Sequence, residues 1–97
     1  MSCSQVNAQD YLVWEDTETI QYYVDSDNTY IDISNNLHAY VKKLRDKNDI
    51  RSIEYVFFVS ESDHWYTTDY FRSQKRISDS LIAKTIFLKA CQITGYR

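Results

Sequence analysis

The sequence predicts an α+β domain: an antiparallel sheet of about four strands in two hairpins, with two main helices, in the order ββαββα. Three observations carry this. Two runs rich in β-branched and aromatic residues flank a polar Asp-Ser-Asp-Asn cluster at 25–28. A long run rich in β-branched and aromatic residues at 50–59 (IRSIEYVFFV) is followed by a turn cluster and an aromatic return. Two further segments repeat their apolar residues at helical spacing.

The first run, 17–24 (TETIQYYV), and the second, 29–34 (TYIDIS), give strands near 18–24 and 29–34. Ser34 or Asn35 then caps a helix over 36–47, where Leu37, Tyr40, Val41 and Leu44 fall at i, i+3, i+4 and i+7. Lys42, Lys43, Arg45 and Lys47 sit in its C-terminal half, which suits the negative end of a helix dipole. Strands at 50–59 and 65–72 form the second hairpin, turning at 60–64. Ser78-Asp79 opens a final helix over 79–94, with Leu81, Ile82, Thr85, Ile86, Leu88 and Ile93 on its apolar stripe and Gly95 as its stop. The segment 4–15 reads as a short helix or turn leading into the sheet, with a strand at 11–14 as the alternative.

The 97 residues are read as one domain, 1–97, and 43% hydrophobic content supplies a core. A single Gly and no Pro exclude a Gly-rich phosphate loop and leave the turns to Asn, Asp and Ser. Cys3 and Cys91 are expected as reduced thiols, and neither a signal peptide nor a membrane span is legible, so a cytoplasmic protein is expected. Cys3, His38, His64 and Cys91 are scattered singly, so neither a metal nor a cofactor is expected. A Cys91–His64–Asp63 nucleophilic set is set aside because Cys91 falls near the apolar stripe of the last helix. Turnover is not expected.

Charge is the least ordinary feature. Residues 1–41 carry seven carboxylates (Asp10, Glu15, Asp16, Glu18, Asp25, Asp27, Asp32) and no Lys or Arg, while 42–97 carry seven carboxylates against eleven Lys and Arg. The first part is therefore −7 and the second +4, together the overall −3. Carboxylates two apart on a strand stand about 6.8 Å apart on one face, so Asp16/Glu18 and Asp25/Asp27 are spaced to imitate a row of phosphates. Tyr22, Tyr23 and Tyr30 lie among them as anchors. The expected binding surface is Glu15, Asp16, Glu18, Tyr22, Asp25, Asp27, Tyr30 and Asp32. Its expected partner is a protein with a Lys/Arg-lined nucleic-acid groove, met by a monomer that does not itself bind DNA.

A short, acidic, Gly-poor, Tyr-rich chain whose C-terminal hairpin runs into D-S-L-I-A-K-T-I-F-L-K-A resembles small phage-encoded proteins that block host defence. In size and character it is similar to DNA-mimicking anti-CRISPR proteins of type I-F systems. The resemblance implies a non-enzymatic inhibitor that binds a crRNA-guided surveillance complex and blocks its target DNA. Two alternatives stand beside it. One is a protein-interaction module with a different partner. The other is a nucleic-acid-binding domain using the aromatics Tyr55, Phe57, Phe58, Trp65, Tyr66, Tyr70 and Phe71 with the basic residues of the second half.

Overall fold

The computed structural model describes residues 10–16, 19–46, 49–69 and 71–96. It contains β1 (Asp10–Asp16), β2 (Ile20–Ile31), β3 (Leu37–Arg45), β4 (Asp49–Ser60), β5 (Asp63–Thr68) and β6 (Phe71–Arg76). A single 3₁₀ turn at Ile77–Asp79 then leads into α1 (Leu81–Thr94). The six strands pair antiparallel in chain order as one meander. The expected four-stranded ββαββα arrangement with two main helices is therefore corrected to six strands and one C-terminal helix.

Residues 37–45 decide the difference. Their apolar positions fit a period of 3.6 and a period of 2 equally well. The structure uses the second: Leu37, Ala39 and Val41 are buried on one face, and His38, Tyr40 and Lys42 stand on the other. An isolated helix here would bury one stripe, whereas a strand between β2 and β4 gains a ladder on both edges. The expected cap, Asn35, instead takes φ 66 in the β2–β3 loop, a left-handed conformation that Asn tolerates.

The cluster at 25–28 is likewise not a hairpin turn. It is a bulge inside one long strand: β2 pairs with β3 up to Asp25↔Tyr40 and resumes at Tyr30↔His38. The bulge satisfies its own polar groups. Asp25 accepts from the Asp27 amide at 3.0 Å and from Asn28 Nδ2 at 2.9 Å, while Thr29 Oγ1 donates to the Asp25 carbonyl at 2.8 Å. The expected strand at 65–72 is two strands, reversing at the pair Thr68↔Phe71. The N-terminal segment contributes strand β1 where a short helix or turn is favoured by sequence; residues 1–9 lie outside the described residues.

The core lies between one face of the sheet and α1. Val24, Val41 and Ile53 form one cross-strand row, and Leu37, Phe57 and Tyr66 another. Ala83, Ile86 and Ala90 of α1 pack onto them fully buried. The helix ends follow local rules: Ser80 Oγ caps the Ala83 amide at 3.1 Å, and Gly95 at φ 79 sends its amide back to the Cys91 carbonyl at 2.7 Å. Tyr96 then donates its hydroxyl to the Asn35 carbonyl at 3.0 Å, tying the C-terminus to the β2–β3 loop. Among the described residues no helix is long and apolar enough to cross a membrane.

Candidate interaction surface

The face of the sheet turned away from α1 is built from the alternate residues of every strand. An antiparallel sheet with one solvated face normally shows polar side chains there. In this chain the register places Tyr23 and Tyr30 from β2, Tyr40 from β3, Phe58 from β4 and Trp65 from β5 on that face. Tyr30 is 50% exposed, and the other four are partly shielded by their neighbours. Arg76 from β6 lies over the Trp65 ring at 5.1 Å, and its guanidinium Nε is 3.4 Å from Asp63.

Charges on this face are arranged around β3. Lys42 Nζ donates to Asp10 Oδ2 at 3.0 Å and lies 3.9 Å from Asp25 Oδ2. Both carboxylates are buried, so their charge is held by Lys42 and by local hydrogen bonds and is not displayed. Four residues earlier on the strand, His38 bridges two carboxylates: Nε2 is 2.7 Å from Asp32 Oδ2 and Nδ1 is 2.9 Å from Glu54 Oε2. Only the imidazolium carries a proton on both nitrogens, so this geometry suits the charged ring. Burial pushes the His38 pKa down, but hydrogen bonds and charge from Asp32 and Glu54 outweigh it, and the net shift is upward. Asp32 is held below the usual carboxylate range by the Asn36 amide first, then by His38 and the Ser34 amide. Tyr30 stacks on the imidazole with ring centroids 4.6 Å apart and planes 2° from parallel.

The residues expected to form one acidic surface are distributed differently. Asp25 is buried under its own bulge, Asp27 is exposed in that bulge, and Asp32 is engaged by His38. Glu15 is exposed on the helix-free face, where Gln21 Nε2 donates to it at 2.8 Å. Asp16 and Tyr22 point to the opposite, helix-bearing side by register. Glu18 lies outside the described residues. The structure thus brings Asp25, Tyr30 and Asp32 together around β3 and separates them from Asp16 and Tyr22. His38, Lys42 and Glu54 were not singled out for this surface from sequence. The signal was present as His38-x-Tyr40-x-Lys42, a period-2 pattern visible once the segment is read as a strand.

Of the residues set aside as a nucleophilic set, His64 packs its ring 5.1 Å from Phe87, and burial pushes the Cys91 thiol up, which disfavours the thiolate. Among the described residues no group of three or more His, Cys, Asp or Glu is placed to hold a metal. No known protein family, curated protein or solved structure matches this chain.

Proposed function

We propose that the chain is a non-enzymatic binding protein that docks a macromolecular partner on the helix-free face of its sheet, with Tyr40 at the centre. One observation carries this: five aromatic residues stand on a face that ordinarily would be polar. Tyr and Trp bring large apolar area with a polar tip and lose little conformational freedom when a partner covers them. Tyr40 lies between His38 and Lys42 along β3 and opposite Asp25 and Glu54 on the flanking strands. Its surroundings are therefore ordered before any partner arrives, which lowers the entropic cost of binding. Trp65 and Arg76 extend the surface to the β6 edge, where they line an open groove of about 670 Å³.

The narrower reading is an inhibitor that occupies the basic DNA groove of a crRNA-guided surveillance complex. It is supported by exposed Glu15 and Asp27 beside these aromatics. It loses Asp10, Asp25 and Asp32, whose charges are engaged by Lys42 and His38.

Affinity capture from bacterial lysate, with wild type and a Tyr40→Ala/Trp65→Ala variant as baits, tests the general reading. A partner held by wild type and lost by the variant is expected; an identical captured set would refute it. Displacement of labelled target DNA from a purified type I-F surveillance complex tests the narrower one. Displacement should weaken for Glu15→Lys/Asp27→Lys, and a wild type that displaces nothing removes the mimic reading while leaving the binding face standing.

A further inference from the structure

The helix-bearing face of the sheet carries a second arrangement, at the end where Tyr22 packs only partly against the core. Next to the buried row Val24–Val41–Ile53, the register continues as Trp14↔Tyr22↔Lys43↔Arg51 across β1, β2, β3 and β4. Two aromatics and two cations thus lie side by side on four neighbouring strands, spanning about 14 Å at ordinary strand spacing. Arg51 is exposed, and Trp14, Tyr22 and Lys43 are partly so. The Lys43 ammonium sits over the Tyr22 ring, 5.5 Å from its centre, so that ring holds the cation in place.

We infer that this row is a docking platform for single-stranded nucleic acid, with a base stacked on Trp14 and the following phosphates beside Lys43 and Arg51. Sequence-tolerant single-strand binders combine these two elements: ring faces for bases and a cationic track for the backbone. The next row outward is Asp16↔Ile20↔Arg45↔Asp49. Arg45 adds a third cation beside Lys43. The aromatics concerned are not those the sequence offered for nucleic-acid binding: Tyr55, Phe57 and Tyr66 are buried in the core, Phe58 and Trp65 face the other way, and Tyr70 lies outside the described residues.

The platform lies on the opposite side of the sheet from Tyr40, so it is tested independently of the proposed protein-binding face. The probe is a fluorescein-labelled 15-nucleotide mixed-sequence single strand, as DNA and as RNA, followed by polarisation and by quenching of Trp emission with the full chain. Binding is expected to weaken with salt at a log–log slope of about −2, since each neutralised phosphate contributes about −0.7 and three cations are available. Arg51→Glu, at an exposed position, should weaken binding at least about tenfold, and Trp14→Ser similarly through lost stacking. Tyr40→Ala should leave it unchanged. Circular dichroism of each variant separates lost contacts from lost folding. Three results would overturn the inference: no binding of either strand at low salt, binding indifferent to Arg51→Glu, or displacement of the probe equally well by a poly-glutamate peptide, which would assign the row to acidic polypeptides.

Discussion

Replacing His38 by alanine removes the one group that holds Asp32 of the β2–β3 loop and Glu54 of β4 together. Two charge-assisted hydrogen bonds, at 2.7 and 2.9 Å, are lost. Such bonds contribute about 1.5–3 kcal/mol each when shielded, and far less when exposed. The Glu54 side chain is 43% exposed, so that bond belongs near the low end. Discounted for that exposure, losing the His38–Glu54 bond costs about 0.5–1 kcal/mol, with a fall in Tm of about 4–8 °C per kcal/mol for a domain of this size. The effect depends on pH with a definite sign. A histidine whose folded pKa lies above its ordinary 6.5 stabilises fully below that value and loses the contribution as pH rises through the folded pKa. Asp32, held below its ordinary 3.8, contributes above that value and loses the contribution as pH falls through its folded pKa. The clamp is therefore strongest from about pH 4 to 6.5 and weakens as pH rises through the folded pKa of His38. The charged and titratable groups facing the ring are Asp32 in the loop, Glu54 on β4, Tyr30 on β2 and Lys42 further along β3. Urea unfolding of wild type and His38→Ala at pH 5.5 and 8.5, with the His38 ring proton followed by NMR, measures the effect. The gap between the two proteins should be larger at pH 5.5. A gap independent of pH, or a His38 that titrates below its ordinary value, would refute the clamp.

Lys42→Met should destabilise by about 3 kcal/mol or more in chemical denaturation, because it leaves the buried carboxylates of Asp10 and Asp25 without their cation. Ile86→Ala, at the fully buried centre of the helix–sheet contact, should cost about 2–5 kcal/mol with an unchanged far-ultraviolet spectrum until unfolding begins. Gly95→Ala meets nothing within 4 Å, so its expected cost of about 1–2 kcal/mol in thermal melts comes from the left-handed φ of 79 alone.

What was legible in the sequence follows the range of the forces involved. The last helix and its stop at Gly95 are written locally, since caps and i→i−4 bonds join residues a few positions apart; its start, read at Ser78-Asp79, lies instead at Ser80, because Ile77–Asp79 form a 3₁₀ turn. β4 was legible because its run ends in Tyr55-Val56-Phe57-Phe58-Val59, a continuous β-branched and aromatic stretch just before the turn cluster at 60–64. The bulge at 25–28 was misread because the same Asp and Asn side chains that close a hairpin turn also satisfy a bulge. Which of the two forms depends on whether β3 is there to resume the ladder at Tyr30. For the candidate surface, seven carboxylates without a basic neighbour in sequence pointed to an exposed acidic patch, yet charge in sequence is not charge in space.

The sequence by itself determined the terminal helix, the strength of β4, the lack of a glycine-rich phosphate loop, and the charge asymmetry between its two parts. Tertiary structure alone decided that 37–45 is a strand. A helix closes its hydrogen bonds within its own segment, but a strand closes them only against neighbours, and here β2 and β4 supply both edges. That choice set the meander order. It also placed His38 and Lys42 beside Asp10, Asp25, Asp32 and Glu54, and the Trp14–Tyr22 pair beside Lys43 and Arg51, since cross-strand register joins residues that no local reading brings together.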